Sequence, residues 1–326
     1  MKQVLPKVDN LVPLIRPNPL VDQGYETLLS DWLGLFSSRH TVRVYRQGIE
    51  EFFAMVTGEG FNPGVLAQFL LLEQKQAYQL VSQYEGWLIK RDLAPATINR
   101  KLASLKSLVN YASSVGKCYY TLSNIKTQSV TTYRDTTGIG SETFKLMLGT
   151  VERESIKGIR DYAILLLLWG NALRRSEVTQ CKVKHFEPRE QRLWILGKGK
   201  KGQWQQITLG RETIKAISEW LEVRGKVEGE EPLFCAVHRG YWGHQLNTDS
   251  IYKIVKKYAL LAGIQKTLSP HRLRHSAITA ALEATNGDVR SVQKLSRHSS
   301  LNTLMIYDDN RRNEQGRVTA LLEELL

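Results

Sequence analysis

At 326 residues, with 42% hydrophobic and 24% charged residues, the chain is long enough for two domains with separate cores, and its composition excludes a low-complexity or disordered protein. Forty-five lysines and arginines against 32 acidic residues leave a formal charge of +13, which favours a polyanionic partner, nucleic acid ahead of an anionic membrane surface. Cys118, Cys181 and Cys235 are widely spaced and form no CxxC pair, which argues against a disulfide framework or a zinc knuckle.

Along the chain, residues 1–22 hold four of the nine prolines and read as a flexible leader. Residues 23–116 read as a helical domain. Val42, Tyr45, Ile49, Phe52, Phe53 and Val56 recur at spacings of three and four and mark one buried stripe, with Arg43 and Arg46 off it. A second helix is predicted from Pro95 to about Val115, with Ile98, Leu102, Leu105, Val109 and Ala112 buried. Its opposite face carries Arg100, Ser104, Ser107 and Tyr111, flanked by Lys101 and Lys106, a surface able to grip phosphates or simply to face solvent.

Residues 117–140 have no sustained period and are expected to be a linker, with Ser141 capping the next helix. A second domain, 141–326, follows. Ile159 to Leu173 predicts a buried helix, and its apolar run from Ala163 to Trp169 is too short to span a membrane. Glu187–Gln191 reads as a polar turn, and residues 192–196 and 204–209 as two strands joined by the glycine-rich turn Gly197–Gly202. Val318, Leu321, Leu322 and Leu325 outline a short amphipathic helix at the end, able to pack on its own domain or on a neighbour. The fold class is thus mainly α, with a small antiparallel sheet in a mixed α+β second domain.

The chemistry concentrates late in the chain. Arg174, Lys198, His271, Arg274, His298 and Tyr307 combine cationic side chains, imidazoles and a phenol, the inventory for a negatively charged reaction centre with a phenolic nucleophile. His271 and His275 are four apart, as in a metal pair, but no convincing third ligand accompanies them, so no metal and no cofactor are expected.

From about Thr41 to Tyr307 these residues resemble the tyrosine recombinases, or phage integrase family. The resemblance is carried by Ala94-Pro95-Ala96-Thr97-Ile98-Asn99-Arg100, Ala172-Leu173-Arg174-Arg175-Ser176-Glu177, Gly197-Lys198-Gly199, His271-Arg272-Leu273-Arg274-His275, Leu295-Ser296-Arg297-His298 and Ile306-Tyr307. It implies a core-binding helical domain before a catalytic domain, and a site-specific recombinase. Tyr307 would form a 3′-phosphotyrosine, and exchange would pass through a Holliday junction. Arg174 and Arg274 would bind the phosphate, His298 would donate to it, and Lys198 would protonate the leaving oxygen. His271 would handle a proton at the nucleophile, and Glu177 would orient the cluster. Arg43, Arg46, Arg100, Lys101, Lys106, Lys200 and Lys201 are the expected DNA contacts. The implied partners are double-stranded DNA with a specific core site, a homo-tetramer on it and an accessory protein, in the cytoplasm at the nucleoid. A type IB topoisomerase, a hairpin resolvase or a catalytically silent DNA-binding regulator are the alternatives. Two positions depart from the family pattern: Ala172 and Arg297 stand where glycines are usual.

Overall fold

The computed structural model describes residues 25–130, 138–197, 203–302 and 314–325, except Glu59 and Ser299, together with Leu304, Met305 and Tyr307. The expected leader lies outside them. The chain divides into two compact units, Met1–Thr132 and Tyr133–Leu326.

Unit 1 is built from α1 (Leu28–Gly34), α2 (Arg39–Thr57), α3 (Pro63–Leu70), α4 (Gln74–Lys90) and α5 (Pro95–Ser114). Ser38 caps α2 by accepting from the Thr41 N–H, and Gly58 ends it in the left-handed region, where glycine carries no Cβ penalty. Phe52 forms the hub of the core. Its ring meets Phe53 and Phe69 at 5.1 Å and Tyr84 at 5.3 Å, all edge-on. The predicted buried faces of α2 and α5 pack against each other. At their crossing a Cβ on Gly48 would lie 2.6 Å from the Ser104 hydroxyl. Ser104, expected on the exposed face of α5, is therefore buried, and it satisfies its hydroxyl on the Lys101 carbonyl at 2.6 Å.

The helical unit extends beyond the expected boundary at 116. Cys118, Tyr120, Leu122 and Ile125 join its core, and the Tyr120 hydroxyl donates to the Phe69 carbonyl at 2.6 Å. The start of the expected linker is thus structural.

Unit 2 contains α6 (Ser141–Gly149), α7 (Ile156–Gly170), α8 (Arg175–Gln180), β1 (Phe186–Glu187), β2 (Arg192–Leu196), β3 (Trp204–Thr208), α9 (Arg211–Arg224), α10 (Thr248–Leu261), α11 (Pro270–Ala284) and α12 (Val289–Ser296). Gly140, not Ser141, is the cap residue of α6. The strands form an antiparallel sheet in the order β1-β2-β3, with Leu193 opposite both Phe186 and Ile207. Alternation turns Leu193, Ile195 and Ile207 into the core. Glu187, read as the start of a turn, is the last residue of the two-residue strand β1.

α7 is apolar on nearly all sides and packs against α9, α11 and α8. It runs three residues earlier than predicted at both ends. Ser155 caps it by accepting from the Gly158 N–H at 3.0 Å, and the helix ends at Gly170 before the chain turns through Ala172. The terminal helix, Glu314–Glu323, leaves Val318 and Leu321 each 52% exposed, Leu322 59% and Leu325 81%. That apolar stripe is more than half exposed.

Phe52→Ala removes the hub of the first core, and we expect a loss of about 3–5 kcal/mol in unfolding free energy of that unit, read as a lower urea midpoint at unchanged slope.

Candidate active site

The short passage out of α7 positions the first arginine. After Gly170 the backbone enters the left-handed region at Ala172 (φ 45°), and Arg174 then serves as the cap residue of α8. Glu177, three residues on, closes back on it. One carboxylate oxygen accepts from the Arg174 backbone N–H at 2.8 Å, and the other accepts from the Arg174 Nη1 at 2.7 Å. Glu177 is fully buried, whereas Arg174 remains partly exposed. Arg175 makes its ion pair, at 3.9 Å, with the exposed Asp249.

The second arginine comes from α11. Ser269 caps that helix by accepting from the Arg272 N–H, and Pro270 occupies its first position. Arg274 sits one turn in, buried, with Nη1 donating to the Ala172 carbonyl and Nη2 to the Ser296 carbonyl. Its Nη2 also lies 3.4 Å from His298 Nε2. α12 ends at Arg297 in the left-handed region (φ 58°), and this turn presents His298.

Tyr307 is helical and only 3% exposed, in a small apolar cluster with Ala172, Ala277, Ile278 and Leu304. Its ring stacks on His275, centroids 4.9 Å apart, and lies 6.2 Å from the ring of His298. Its hydroxyl is 3.5 Å from His275 Nε2, which in turn is 2.7 Å from His271 Nε2. His275 was not among the expected site residues. Its i, i+4 spacing from His271 was visible, but that spacing suggested only a metal pair. Among the described residues no group of three or more His, Cys, Asp or Glu could hold a metal ion.

Lys198, Lys200 and Lys201 lie outside the described residues. Of the DNA contacts expected in unit 1, Arg43, Arg46 and Arg100 are exposed. Lys101 is instead ion-paired with Glu51, and Lys106 donates to the Ile125 carbonyl. Both stems fold inward on partners within the unit. Ser107 accepts from the Trp32 indole N–H at 3.2 Å, and Tyr111 is half-buried.

The electrostatics of the second unit's cluster follow from crowding cations in a dry place. Burial, then Arg174 and Arg297, pushes Arg274 down to about 9. Burial, then Arg274, Arg174, Arg297 and His271, pushes His298 down to about 4, so its ring is neutral at pH 7. An arginine can only donate, so a hydrogen bond from Arg274 to Nε2 requires the tautomer that carries its proton on Nδ1. Burial raises the Glu177 carboxyl, but Arg297 and Arg174 outweigh it and hold the group below its ordinary range. Arranged this way, three guanidiniums share one carboxylate, and the cluster keeps a net positive charge.

Residues 140–314 match the family model described as the phage integrase family. A tyrosine recombinase of Synechocystis sp. is 50% identical over 92% of this chain and 96% of its own length. Tyrosine recombinase XerC of Syntrophus aciditrophicus is 31% identical over 72% of this chain and 76% of its own. Among solved structures, XerH site-specific recombinase bound to palindromic difH substrate superposes with a TM-score of 0.62 at 19% identity, covering 95% of this chain and 99% of that one. A lambda integrase dimer bound to a COC′ core site gives 0.61 at 12% identity, covering 85% and 96%. The chain belongs to the phage integrase family and is a tyrosine-type, site-specific DNA recombinase.

Proposed function

We propose that the enzyme cuts and rejoins double-stranded DNA at a specific core site through a 3′-phosphotyrosine formed by Tyr307. The observation that carries this reading is the convergence of four separated segments, bearing Arg174, Arg274, His298 and Tyr307, around one partly exposed cationic centre. In that reading the Tyr307 oxygen attacks the phosphorus as the bond from phosphorus to the 5′-oxygen breaks. The His275–His271 pair takes the phenolic proton, and Lys198 supplies one to the leaving oxygen. Arg174 and Arg274 bind the non-bridging oxygens, where charge grows in the transition state, and His298 donates to the same phosphate. Energy is kept in the phosphotyrosine bond, so rejoining by a 5′-hydroxyl needs no nucleotide cofactor.

Arg43, Arg46 and Arg100 of the helical unit are the backbone contacts in this reading, with Lys200 and Lys201 of the β2–β3 turn beside Lys198. Lys101 and Lys106 contribute to the local field while tied to their own unit. The exposed stripe of the terminal helix supports assembly of a tetramer on DNA, each helix covering its apolar face on a neighbour in a closing head-to-tail ring. Strand exchange then proceeds through a Holliday junction, in the cytoplasm at the nucleoid. An accessory protein is a further partner consistent with the family. No described helix is long and apolar enough to cross a membrane.

Tyr307→Phe removes the nucleophile and leaves its ring packing intact. With a nicked suicide substrate we expect no SDS-resistant adduct from this variant and DNA binding within a few-fold of wild type; an adduct formed by Tyr307→Phe overturns the assignment.

A phosphate beside His298 favours its protonated form, so its pKa in the complex lies above the free value of about 4. The bound pKa exceeds the free one, so binding takes up a proton between the two values, and affinity rises as pH falls through the bound pKa. Calorimetry at pH 5–7.5 and fixed salt, in buffers of different ionisation enthalpy, measures the uptake, which His298→Gln abolishes if the assignment is right.

Deleting the terminal helix from Glu314 onward leaves the cluster around Arg174 in place. We expect single-site adduct formation to persist while complexes joining two sites are lost in native gels; retained synapsis overturns the docking role.

A further inference from the structure

Two residues with left-handed backbone meet at the centre of the cluster, and one of them is an arginine. Ala172 has φ 45° and Arg297 has φ 58°. Each would be relieved by glycine, and holding a side chain there costs about 1 kcal/mol. The Arg297 side chain does not escape to solvent. It is 6% exposed, and its guanidinium is spread over three segments of chain. Nη1 donates to the Asn171 carbonyl at 3.1 Å and to the Leu295 carbonyl at 2.6 Å. Nη2 donates to the Ala172 carbonyl at 3.2 Å and to the Glu177 carboxylate at 3.1 Å.

Two of those acceptors, the Ala172 carbonyl and the Glu177 carboxylate, also hold the two phosphate-binding arginines. The Ala172 carbonyl also receives Arg274 Nη1, and the carbonyl of Ser296, directly before Arg297, receives Arg274 Nη2. Glu177 gives its other oxygen to Arg174 Nη1. Arg297 therefore touches what holds Arg174 and what holds Arg274 with one planar group. A lysine reaches one such acceptor at a time, whereas the guanidinium fork reaches several in a fixed geometry.

We propose that Arg297 is a positioning residue for strand cleavage: its guanidinium locks Arg174 through Glu177 and Arg274 through the Ala172 carbonyl, so that the two arginines present a single phosphate site. This rests on Arg174 and Arg274 being the phosphate-binding pair. Arg297 lies under the site and binds no phosphate itself. A loss of register on the order of 1 Å between the two arginines slows cleavage about 100-fold.

The test is single-turnover cleavage of a nicked suicide substrate, with melting temperature and DNA affinity measured for each variant. Arg297→Gly removes the fork and relieves the backbone. We expect it to keep its fold and bind DNA within a few-fold of wild type, yet to cleave about 100-fold more slowly. Arg297→Lys is expected to be nearly as slow. Adding Glu177→Gln to Arg297→Gly is expected to slow cleavage little further, because the two groups act as one unit.

The pH dependence of DNA binding separates positioning from general destabilisation. His298 faces Arg274 and His271 from α11, Arg174 at the start of α8, its neighbour Arg297 and the Tyr307 ring. Losing one of these cations in Arg297→Gly moves the onset of binding-linked proton uptake to higher pH, and Arg297→Lys leaves it near the wild-type value. If Arg297→Gly melts out, Arg297→Lys decides the matter by its cleavage rate. A wild-type adduct at Tyr307 together with unslowed Arg297→Gly or Arg297→Lys overturns the inference alone. No wild-type adduct overturns the reading of the site on which the inference rests.

Discussion

The buried Glu177 carboxylate is the interaction on which the rest of the site depends. An ionised carboxylate without solvent is stable only where charged donors and backbone N–H groups replace its lost hydration. Glu177 has all of these, from the Arg174 backbone, the Arg174 guanidinium and the Arg297 guanidinium. It is also the anion that lets three arginines share a dry site. Without it, the mutual repulsion that adds to burial in depressing Arg274 loses its main opposition. The cluster remains short of negative charge even so.

Placement of the cluster follows from how three helices begin or end. α7 stops at Gly170, and the next residue ties the passage to the sheet, the Asn171 side-chain amide donating to the Thr208 carbonyl at 2.8 Å. The left-handed turn at Ala172 then aims a backbone carbonyl at α11 and brings Arg174 to the cap of α8. α11 starts at Pro270, so His271 falls in the first turn and Arg274 one turn deeper. α12 ends in the turn that presents His298. Helix ends hold unpaired backbone groups and irregular dihedrals, so they can offer side chains and carbonyls at angles that helix interiors cannot. The apolar body of α7 packs against both α8 and α11 and so ties two of these ends to one core.

Much of this was legible in the sequence, for physical reasons that differ by residue. The faces of α2 and α5 follow from a 3.6-residue period in large apolar side chains, and the expected ends of α5 fall within about a residue of those observed. β2 and β3 were bracketed by turn residues. β1 is too short to carry a period, and its Glu187 looked like part of the turn. Ser104 was placed on the wrong face because its burial depends on Gly48 of another helix, a pairing that local spacing does not encode. The inward fold of Lys101 and Lys106 has the same origin, since Glu51 and the Ile125 carbonyl are remote in sequence. Cys118 to Ile125 lack a regular pattern because they are an irregular segment of bends and a turn whose apolar side chains join the helical core. His275 was visible as a residue, but its place against Tyr307 is a tertiary fact.

The two departures from the family's glycines tie sequence to mechanism. Where glycine is usual and the backbone is left-handed, the demand is conformational, and both positions here meet it without glycine. Ala172 does so with the smallest possible side chain, buried beside Tyr307. Arg297 offsets its backbone strain by what its side chain gains: bonds to three carbonyls and an ion pair with Glu177, each hydrogen bond contributing about 1 kcal/mol or more where charge is involved. Locally unfavourable residues persist where their surroundings over-determine them. Here the surroundings are the anchors of Arg174 and Arg274, so the strain of Arg297 is offset by the same groups that hold those two arginines.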